Sequence, residues 1–152
     1  MDKQETEKWS TILSISHYLS ATYLIAVEKE KFAAKTYIKN HPNTHVICDD
    51  ISNVNPLDVV SASPFILLGG PPCQGFSVSN RQTRNIANEN NGLFKEYLRF
   101  VEILKPHWFL FENVEGIVNF NKGKTLKYIL NQFHKVGYET TSSVLYASDY
   151  GV

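Results

Sequence analysis

The chain has 152 residues, with 15 Lys plus Arg and 15 Asp plus Glu, so its formal net charge is zero. This balance excludes a nucleic-acid binder that relies on bulk positive charge, although a local basic patch or a basic partner domain stays compatible with it. A hydrophobic fraction of 43% and a charged fraction of 20% predict one folded domain rather than a disordered chain. No apolar stretch approaches the roughly 20 residues that cross a bilayer, and the polar start Met1–Lys8 is unlike a signal peptide, which together predict a soluble, cytoplasmic protein.

Apolar residues at helical spacing predict helices, and short apolar runs bounded by turn residues predict strands. In chain order the predicted elements are helix 9–21, strand 23–27, helix 29–40, strand 45–48, strand 64–68, helix 92–104, strand 107–111, helix 125–136 and strand 143–146. Strands that alternate with helices predict a doubly wound, mostly parallel α/β sheet with right-handed crossovers. In such a sheet, ligands bind at the carboxyl ends of the strands.

Three predicted strand ends carry side chains that could do chemistry. Glu28 follows the first strand, Cys73 follows the third through a Gly-Gly-Pro-Pro turn, and Glu112 follows strand 107–111. Because the carboxyl ends of parallel strands lie at one edge of a sheet, we expect all three to face one crevice. A carboxylate that closes an early strand can accept hydrogen bonds from both ribose hydroxyls of a nucleotide. For Glu28 taken alone, a solvated surface position is the alternative.

The two cysteines, Cys48 and Cys73, are too few for a disulfide framework and lack a spacing that holds zinc. Cys48 falls inside predicted strand 45–48, so we expect an inert core residue. Cys73 follows two prolines in a loop that we expect to be accessible. Arg81 and Arg84 are close enough in sequence to favour its thiolate, which is the nucleophilic form.

Glu112 follows an almost wholly apolar strand and precedes Asn113. Partial desolvation raises the pKa of a carboxyl group, so a Glu in this position can hold a proton near neutral pH and donate it to a substrate. A structural strand-end carboxylate is the alternative when Glu112 is taken singly. A thiolate nucleophile together with a proton-donating Glu is far less common by accident.

Two motifs strongly resemble the cytosine-5 DNA methyltransferase family in its bacterial form. They are Gly69-Gly70-Pro71-Pro72-Cys73-Gln74-Gly75-Phe76-Ser77 and Glu112-Asn113-Val114. Further similar segments are Ala26-Val27-Glu28, Asn40-His41-Pro42, Asp50-Ile51, Gly92-Leu93-Phe94, Lys105-Pro106 and Ala147-Ser148-Asp149-Tyr150-Gly151-Val152. The resemblance implies a Rossmann-like methyltransferase fold, S-adenosylmethionine as cofactor, double-stranded DNA as partner and a restriction-modification setting.

The resemblance also implies a covalent mechanism. Cys73 would add to carbon 6 of a cytosine that is flipped out of the duplex, and Glu112 would engage the ring nitrogen and the exocyclic amine. S-adenosylmethionine would supply the methyl group to carbon 5, and loss of the carbon 5 proton would expel the thiolate. Asn113 would orient the catalytic loop beside Glu112.

The same resemblance implies which residues bind the cofactor and the substrate. It implies no metal site. Glu28 would bind the cofactor ribose, Asp50 and Ile51 would contact the adenine, and Leu93 would pack near it. Pro71 is a further implied cofactor residue. The implied substrate-binding residues are Gln74, Ser77 and Arg81.

Two departures from the family pattern predict that residues 1–152 form a partial catalytic domain. Met1–Lys8 has neither an apolar strand nor the glycines of the family's Phe-x-Gly-x-Gly loop. At the other end the sequence stops before the family's Gln-Arg-x-Arg segment and its target-recognition region. A milder departure is Glu89-Asn90-Asn91, where the family often has an Asp and an Arg.

Other interpretations stay open at this point. The chain could be a non-catalytic remnant, or half of a split methyltransferase that needs a complementary chain. A redox or hydrolytic thiol enzyme needs a second Cys or a His near Cys73, and neither is evident in the sequence. Relatives that act on transfer RNA typically carry Pro in place of Gly75, so DNA is the favoured substrate.

Overall fold

The computed structural model describes residues 24–60, 62–71 and 92–151 of the chain. Within these ranges the chain alternates short strands with helices. The strands and helices are β1 (Leu24–Val27), α1 (Lys31–Asn40), β2 (Thr44–Ile47), α2 (Pro56–Val59), β3 (Ile66–Gly69), α3 (Gly92–Leu104), β4 (Trp108–Phe111), α4 (Gly116–Asn119) and α5 (Lys124–Lys135). Short 3-10 segments occupy Ile51–Asn53, Phe120–Gly123 and Ala147–Tyr150.

The described strands form two parallel pairs, β1 with β2 and β3 with β4. Val27 lies opposite Ile47 in the first pair, and Gly69 lies opposite Phe111 in the second. A parallel pair needs a crossover connection, and α1 and α3 lie between the paired strands in sequence. The α/β class and the parallel pairing are therefore as predicted.

A cluster of large apolar side chains packs α3 and α5 against one face of the β3–β4 pair. Its fully buried members are Phe94, Tyr97, Val101, Ile117, Ile129 and Phe133. The Phe133 ring is 1% exposed, and its centroid lies 4.4 Å from that of Phe109 on β4. Leucine- and phenylalanine-rich α3 enters this core because its apolar residues recur at helical spacing along one side.

A second cluster connects the two strand pairs. Val54, Phe100 and Leu104 form its buried centre. Val27 of β1, Ile47 of β2 and Leu67 of β3 pack against that centre, so helix α3 contacts side chains from both pairs. The carboxyl ends of both strand pairs are thereby held relative to one helix.

Each described element that the sequence patterns predicted begins and ends within two residues of its expected limits, with one exception. The exception is strand 143–146, which is wrong. Val144, Leu145 and Tyr146 are 40%, 67% and 55% exposed, and the segment pairs with no strand in the described ranges. Predicted helix 9–21 lies outside the described residues.

The short helix α2 was missed, although the sequence carries a signal for it. The Asn55 side chain accepts a hydrogen bond from the Leu57 N–H at 3.3 Å, and Pro56 occupies the first helical position. Asn as a cap followed by Pro at that position is typical of a helix start.

Across the described parts of the chain, no helix combines the length and the apolar character that a bilayer span requires.

Candidate functional site

The carboxyl ends of β3 and β4 are joined by backbone and side-chain hydrogen bonds. The N–H of Glu112 donates to the Gly69 carbonyl at 2.9 Å, which continues the ladder one residue past β4. The Asn113 side-chain amide donates to the Pro71 carbonyl at 3.2 Å. Its oxygen accepts from the Val114 N–H at 2.9 Å. Asn113 therefore connects the loop after β4 to the chain two residues before Cys73.

The carboxyl ends of β1 and β2 form the second part of the site. The N–H of Glu28 donates to the Ile47 carbonyl at 3.0 Å, and the Glu28 carboxylate accepts from the Glu30 N–H at 2.8 Å. Lys29 Nζ lies 2.8 Å from Asp50 Oδ2. Glu28 and Asp50, which were predicted to bind a cofactor, thus lie at the same end of one strand pair, and an ion pair spans the two loops.

Asp50 caps the 3-10 segment that follows it. Asp50 Oδ1 accepts from the Ser52 N–H at 3.0 Å and from the Ser52 hydroxyl at 2.8 Å. The hydrogen bond from Lys29, followed by the bonds from Ser52, lowers the pKa of Asp50 from 3.8 to about 2. A carboxylate that is ionised at neutral pH and partly exposed is available as an acceptor for a ligand N–H group.

Arg99 of α3 also contacts the loop that contains Asp50. Arg99 Nη2 donates to the carbonyl of Ile51 at 2.8 Å and to that of Val54 at 3.0 Å. Arg99 was not among the predicted site residues, and no motif in the sequence pointed to it. Ile51, by contrast, was predicted from the family resemblance, and it packs against the second core cluster.

Comparison with known proteins identifies the family. Residues 14–152 match the family of C-5 cytosine-specific DNA methylases. The chain belongs to this family. Similar proteins include the type II methyltransferase M.DdeI of Desulfomicrobium norvegicum, 41% identical over 135 residues that make up 85% of this chain and 32% of the relative. The type II methyltransferase M1.HphI of Haemophilus parahaemolyticus is 36% identical over 85% of this chain and 36% of its own length.

A solved structure resembles the chain in fold. It is described as a DNA modification methyltransferase encoded within a prophage of E. coli. The TM-score is 0.58 at 28% sequence identity, and the match covers 74% of this chain and 31% of the other. The chain spans about a third of the length of the relatives and of the solved structure that it matches.

Several of the predicted site residues lie outside the described residues. They are Cys73, Gln74, Ser77 and Arg81. Their roles stay predictions. Pro71 and Leu93 are described, half-buried, and stand at the two limits of that segment. The structure thus describes both flanks of the predicted nucleophile loop and the acidic side of the predicted site.

Two expectations about the burial of side chains at strand ends are wrong. Glu112 is exposed, so its carboxyl lacks the partial desolvation that the apolar strand suggested. β4 ends at Phe111 as predicted, and Glu112 continues the alternation along the chain that exposes Trp108 and Leu110. Cys48 is exposed rather than an inert core residue, because β2 ends at Ile47 and the thiol lies one position past the strand.

Proposed function

We propose that this chain carries the catalytic portion of a DNA (cytosine-5-)-methyltransferase that acts on double-stranded DNA. The observation that carries the proposal is the hydrogen bond from Asn113 to the Pro71 carbonyl, beside the bond from Glu112 to Gly69. These bonds hold the start of the Pro71-Pro72-Cys73 segment against the loop that bears an exposed acidic side chain. A nucleophile and an acid facing one flipped base require this juxtaposition.

The reaction begins with addition of the Cys73 thiolate to carbon 6 of the cytosine. A carbon–sulfur bond forms, and the electron pair of the 5,6 double bond becomes available at carbon 5. Glu112 binds the ring nitrogen and the exocyclic amine, and proton transfer to the ring nitrogen through this carboxyl offsets the negative charge that the addition creates. The exposure of Glu112 leaves its carboxyl open to a base that arrives from the solvent side.

S-adenosylmethionine, when bound, supplies an electrophilic methyl group for carbon 5. The cytosine then loses its carbon 5 proton, the double bond re-forms, and the thiolate of Cys73 leaves. The protein's own contribution is to hold the flipped base between Cys73 and Glu112, with Asn113 fixing the loop that separates them. This assignment follows the family, and the Asn113 contact supports it.

The described residues fit the adenosine part of S-adenosylmethionine. Adenosine offers ribose hydroxyls and an exocyclic amine, all hydrogen-bond donors, and Glu28 and Asp50 offer carboxylate acceptors at adjacent strand ends. Two apolar residues add to this site. Ile51 follows Asp50, and Leu93 lies near the start of α3, which follows the nucleophile loop in sequence. Pro71 completes the set of proposed cofactor residues.

Tritiated methyl transfer from S-adenosylmethionine to cytosine-containing duplex DNA tests the proposal. The full chain should incorporate label, and Cys73→Ser should incorporate none because serine is not ionised near neutral pH. Cys48→Ser is the matched control, since Cys48 is an exposed thiol that follows β2. Label that survives Cys73→Ser would exclude the proposed nucleophile, and loss of label in Cys48→Ser alone would move it to the other thiol.

A complementary methyltransferase chain is a second proposal, favoured by the outer face of β4. Trp108 and Leu110 alternate with the inward Phe109 and Phe111 and are 65% and 46% exposed. Doubly wound sheets are covered on both faces, so these apolar side chains favour a further covering element. Methyl transfer should rise when a chain with the Gln-Arg-x-Arg segment and target-recognition region is co-expressed. Equal activity with and without it would contradict this second proposal.

A further inference from the structure

The guanidinium of Arg99, on α3, donates hydrogen bonds to the loop that follows β2. We define the 50–54 loop as Asp50 to Val54. Arg99 Nη2 donates to the Ile51 carbonyl at 2.8 Å and to the Val54 carbonyl at 3.0 Å, so it joins the two ends of the 3-10 segment Ile51–Asn53. A planar guanidinium can hold several acceptors in fixed directions at once, whereas the ammonium of a lysine acts as a point charge.

The Arg99 guanidinium is itself held in place. Arg99 Nε donates to the Glu96 carboxylate at 2.7 Å, and Nη2 lies 2.6 Å from the same oxygen. The guanidinium carbon lies 4.9 Å from the centroid of the Phe100 ring, which is 4% exposed and belongs to the second core cluster. The contacts with Glu96 and Phe100 therefore fix the direction in which the Arg99 guanidinium points toward the loop.

Lys29 bonds the 50–54 loop from the other side, through the Asp50 carboxylate, but it is a weaker constraint. The Lys29 side chain is 67% exposed and that of Arg99 is 29% exposed. Exposed ion pairs are screened by water and salt, so they fix geometry poorly. Arg99 also bonds backbone carbonyls, which move only when the loop itself moves.

We propose that Arg99 is a positioning residue that holds the 50–54 loop in the conformation that binds the adenine of an adenosine-containing cofactor. This rests on the proposed function, because Asp50 and Ile51 are the proposed adenine contacts. Arg99 acts through the Ile51 carbonyl and does not touch the cofactor. Leu93 lies on the same helix, so the bond also fixes the distance between two proposed walls of the adenine site.

Hydrogen exchange of the full chain without ligand tests the bond itself. In Arg99→Lys, the amides of Ser52, Asn53 and Val54 should exchange about tenfold faster than in the wild type, because two carbonyl bonds to a charged donor are weakened. Amides in the core of α3 should keep their rates. Lys95→Gln is the matched control, since Lys95 lies on the same helix with an exposed side chain. Unchanged rates in the 50–54 loop of Arg99→Lys would overturn the proposal.

Calorimetric binding of two ligands separates positioning from a purely structural role. S-adenosylhomocysteine carries the adenine amine, and S-inosylhomocysteine carries an oxygen in its place. The wild type should prefer the adenine compound, and Arg99→Lys should reduce this preference by about tenfold, as expected for the loss of a charged hydrogen bond. A structural role would weaken both ligands equally and leave their ratio unchanged, which would overturn the proposal while leaving the cofactor assignment intact.

Two further results would bear on the role of Arg99. A folded wild-type chain that binds neither ligand would overturn both the cofactor assignment and the role of Arg99. Glu96→Gln is a milder variant, because it removes the charge that orients the guanidinium and keeps Arg99 itself. If Arg99→Lys fails to fold, Glu96→Gln should still reduce the adenine preference in the same direction, and an unchanged preference would count against the proposal.

Discussion

The ring of Tyr97 occupies the space that a side chain at position 69 would need. A Cβ atom built on Gly69 would lie 2.4 Å from Cε2 and 2.6 Å from Cδ2 of Tyr97. The Tyr97 hydroxyl lies 3.2 Å from the Leu67 carbonyl and 3.0 Å from the Leu110 carbonyl, so the ring is held at both β3 and β4. The absence of a side chain at the last residue of β3 thus sets how closely α3 approaches the strand that leads to Cys73.

Gly69→Ala should lower the free energy of unfolding by roughly 1–3 kcal/mol, the usual cost of forcing extra atoms into a packed core. The Tyr97 ring is 4% exposed and cannot swing into solvent to relieve the overlap. Urea denaturation measures the effect. Gly92→Ala is the control, because a Cβ there meets nothing within 4 Å and alanine favours a helix. Equal stability of Gly69→Ala and the wild type would contradict the described contact.

Burial raises the pKa of Tyr97 above its ordinary value of 10.0. Above about pH 10 the unfolded chain releases this phenol proton while the folded chain keeps it, so the free energy of unfolding should fall as pH rises. Tyr97→Phe should cost about 0.5–1.5 kcal/mol at neutral pH through the lost hydrogen bond. Its stability should then fall less steeply with pH than that of the wild type.

Urea unfolding at a series of alkaline pH values measures these two slopes. Tyr128→Phe is the control for removal of a phenol hydroxyl, since Tyr128 is 48% exposed. Parallel curves for Tyr97→Phe and the wild type would show that the Tyr97 phenol is not protected from ionisation by folding.

Asn113→Ala should reduce the rate constant of methyl transfer by about 10–100-fold, the range expected when a reacting group is misplaced by a fraction of an ångström or more. The change removes the bond to Pro71 and frees the start of the nucleophile loop. Single-turnover kinetics measures the rate, and thermal unfolding checks that the fold is kept. Asn119→Ala should behave as the wild type, because Asn119 is the last residue of α4 and is exposed. A rate for Asn113→Ala within twofold of wild type would argue against the loop anchor.

Lys29→Met should raise the pKa of Asp50 from about 2 toward 3.8, because the largest cause of the lowered value is the Lys29 hydrogen bond. The rise should be incomplete, since both Ser52 bonds remain. Because the folded pKa is depressed, the stabilisation from Asp50 is present above about pH 4 and is lost as pH falls toward 2. Lys29→Met should therefore lose less stability over this acid range than the wild type.

Carboxyl carbon shifts followed by NMR titration measure the Asp50 pKa directly. Lys31→Met is the control, because Lys31 begins α1 with an exposed side chain. An Asp50 titration that is identical in Lys29→Met and wild type would show that the ion pair does not persist in solution.

The longer helices were predictable because the apolar spacing that marks them lies within the segment. The prediction of α3 rests on the spacing of Leu93, Tyr97, Val101 and Leu104, and the last three of these are buried. A strand requires a partner that its own sequence does not contain, and the apolar run around Leu145 has none in the described ranges. Apolar periodicity reports the side chains of a segment and says nothing about the neighbour that must supply its hydrogen bonds.

In the candidate site, too, some features were predictable from the sequence and others were not. The positions of Glu28 and Glu112 after strands were predictable from the strand pattern, because the carboxyl ends of parallel strands meet at one edge. Asp50 and Asn113 were pointed to by the family resemblance alone. Burial at a strand end was not predictable, since a shift of one residue decides whether Cys48 lies in β2 or past its end. Arg99 was not predictable because it bonds carbonyls 48 and 45 positions away in the chain, and any residue type offers a carbonyl.

The bond between the Glu112 N–H and the Gly69 carbonyl is made by main-chain atoms alone. Mutation can exchange the side chains along both strands, and the peptide groups that set the offset of the two loops remain. The offset between the last residue of β3 and the first residue after β4 is therefore independent of which side chains the two strands carry.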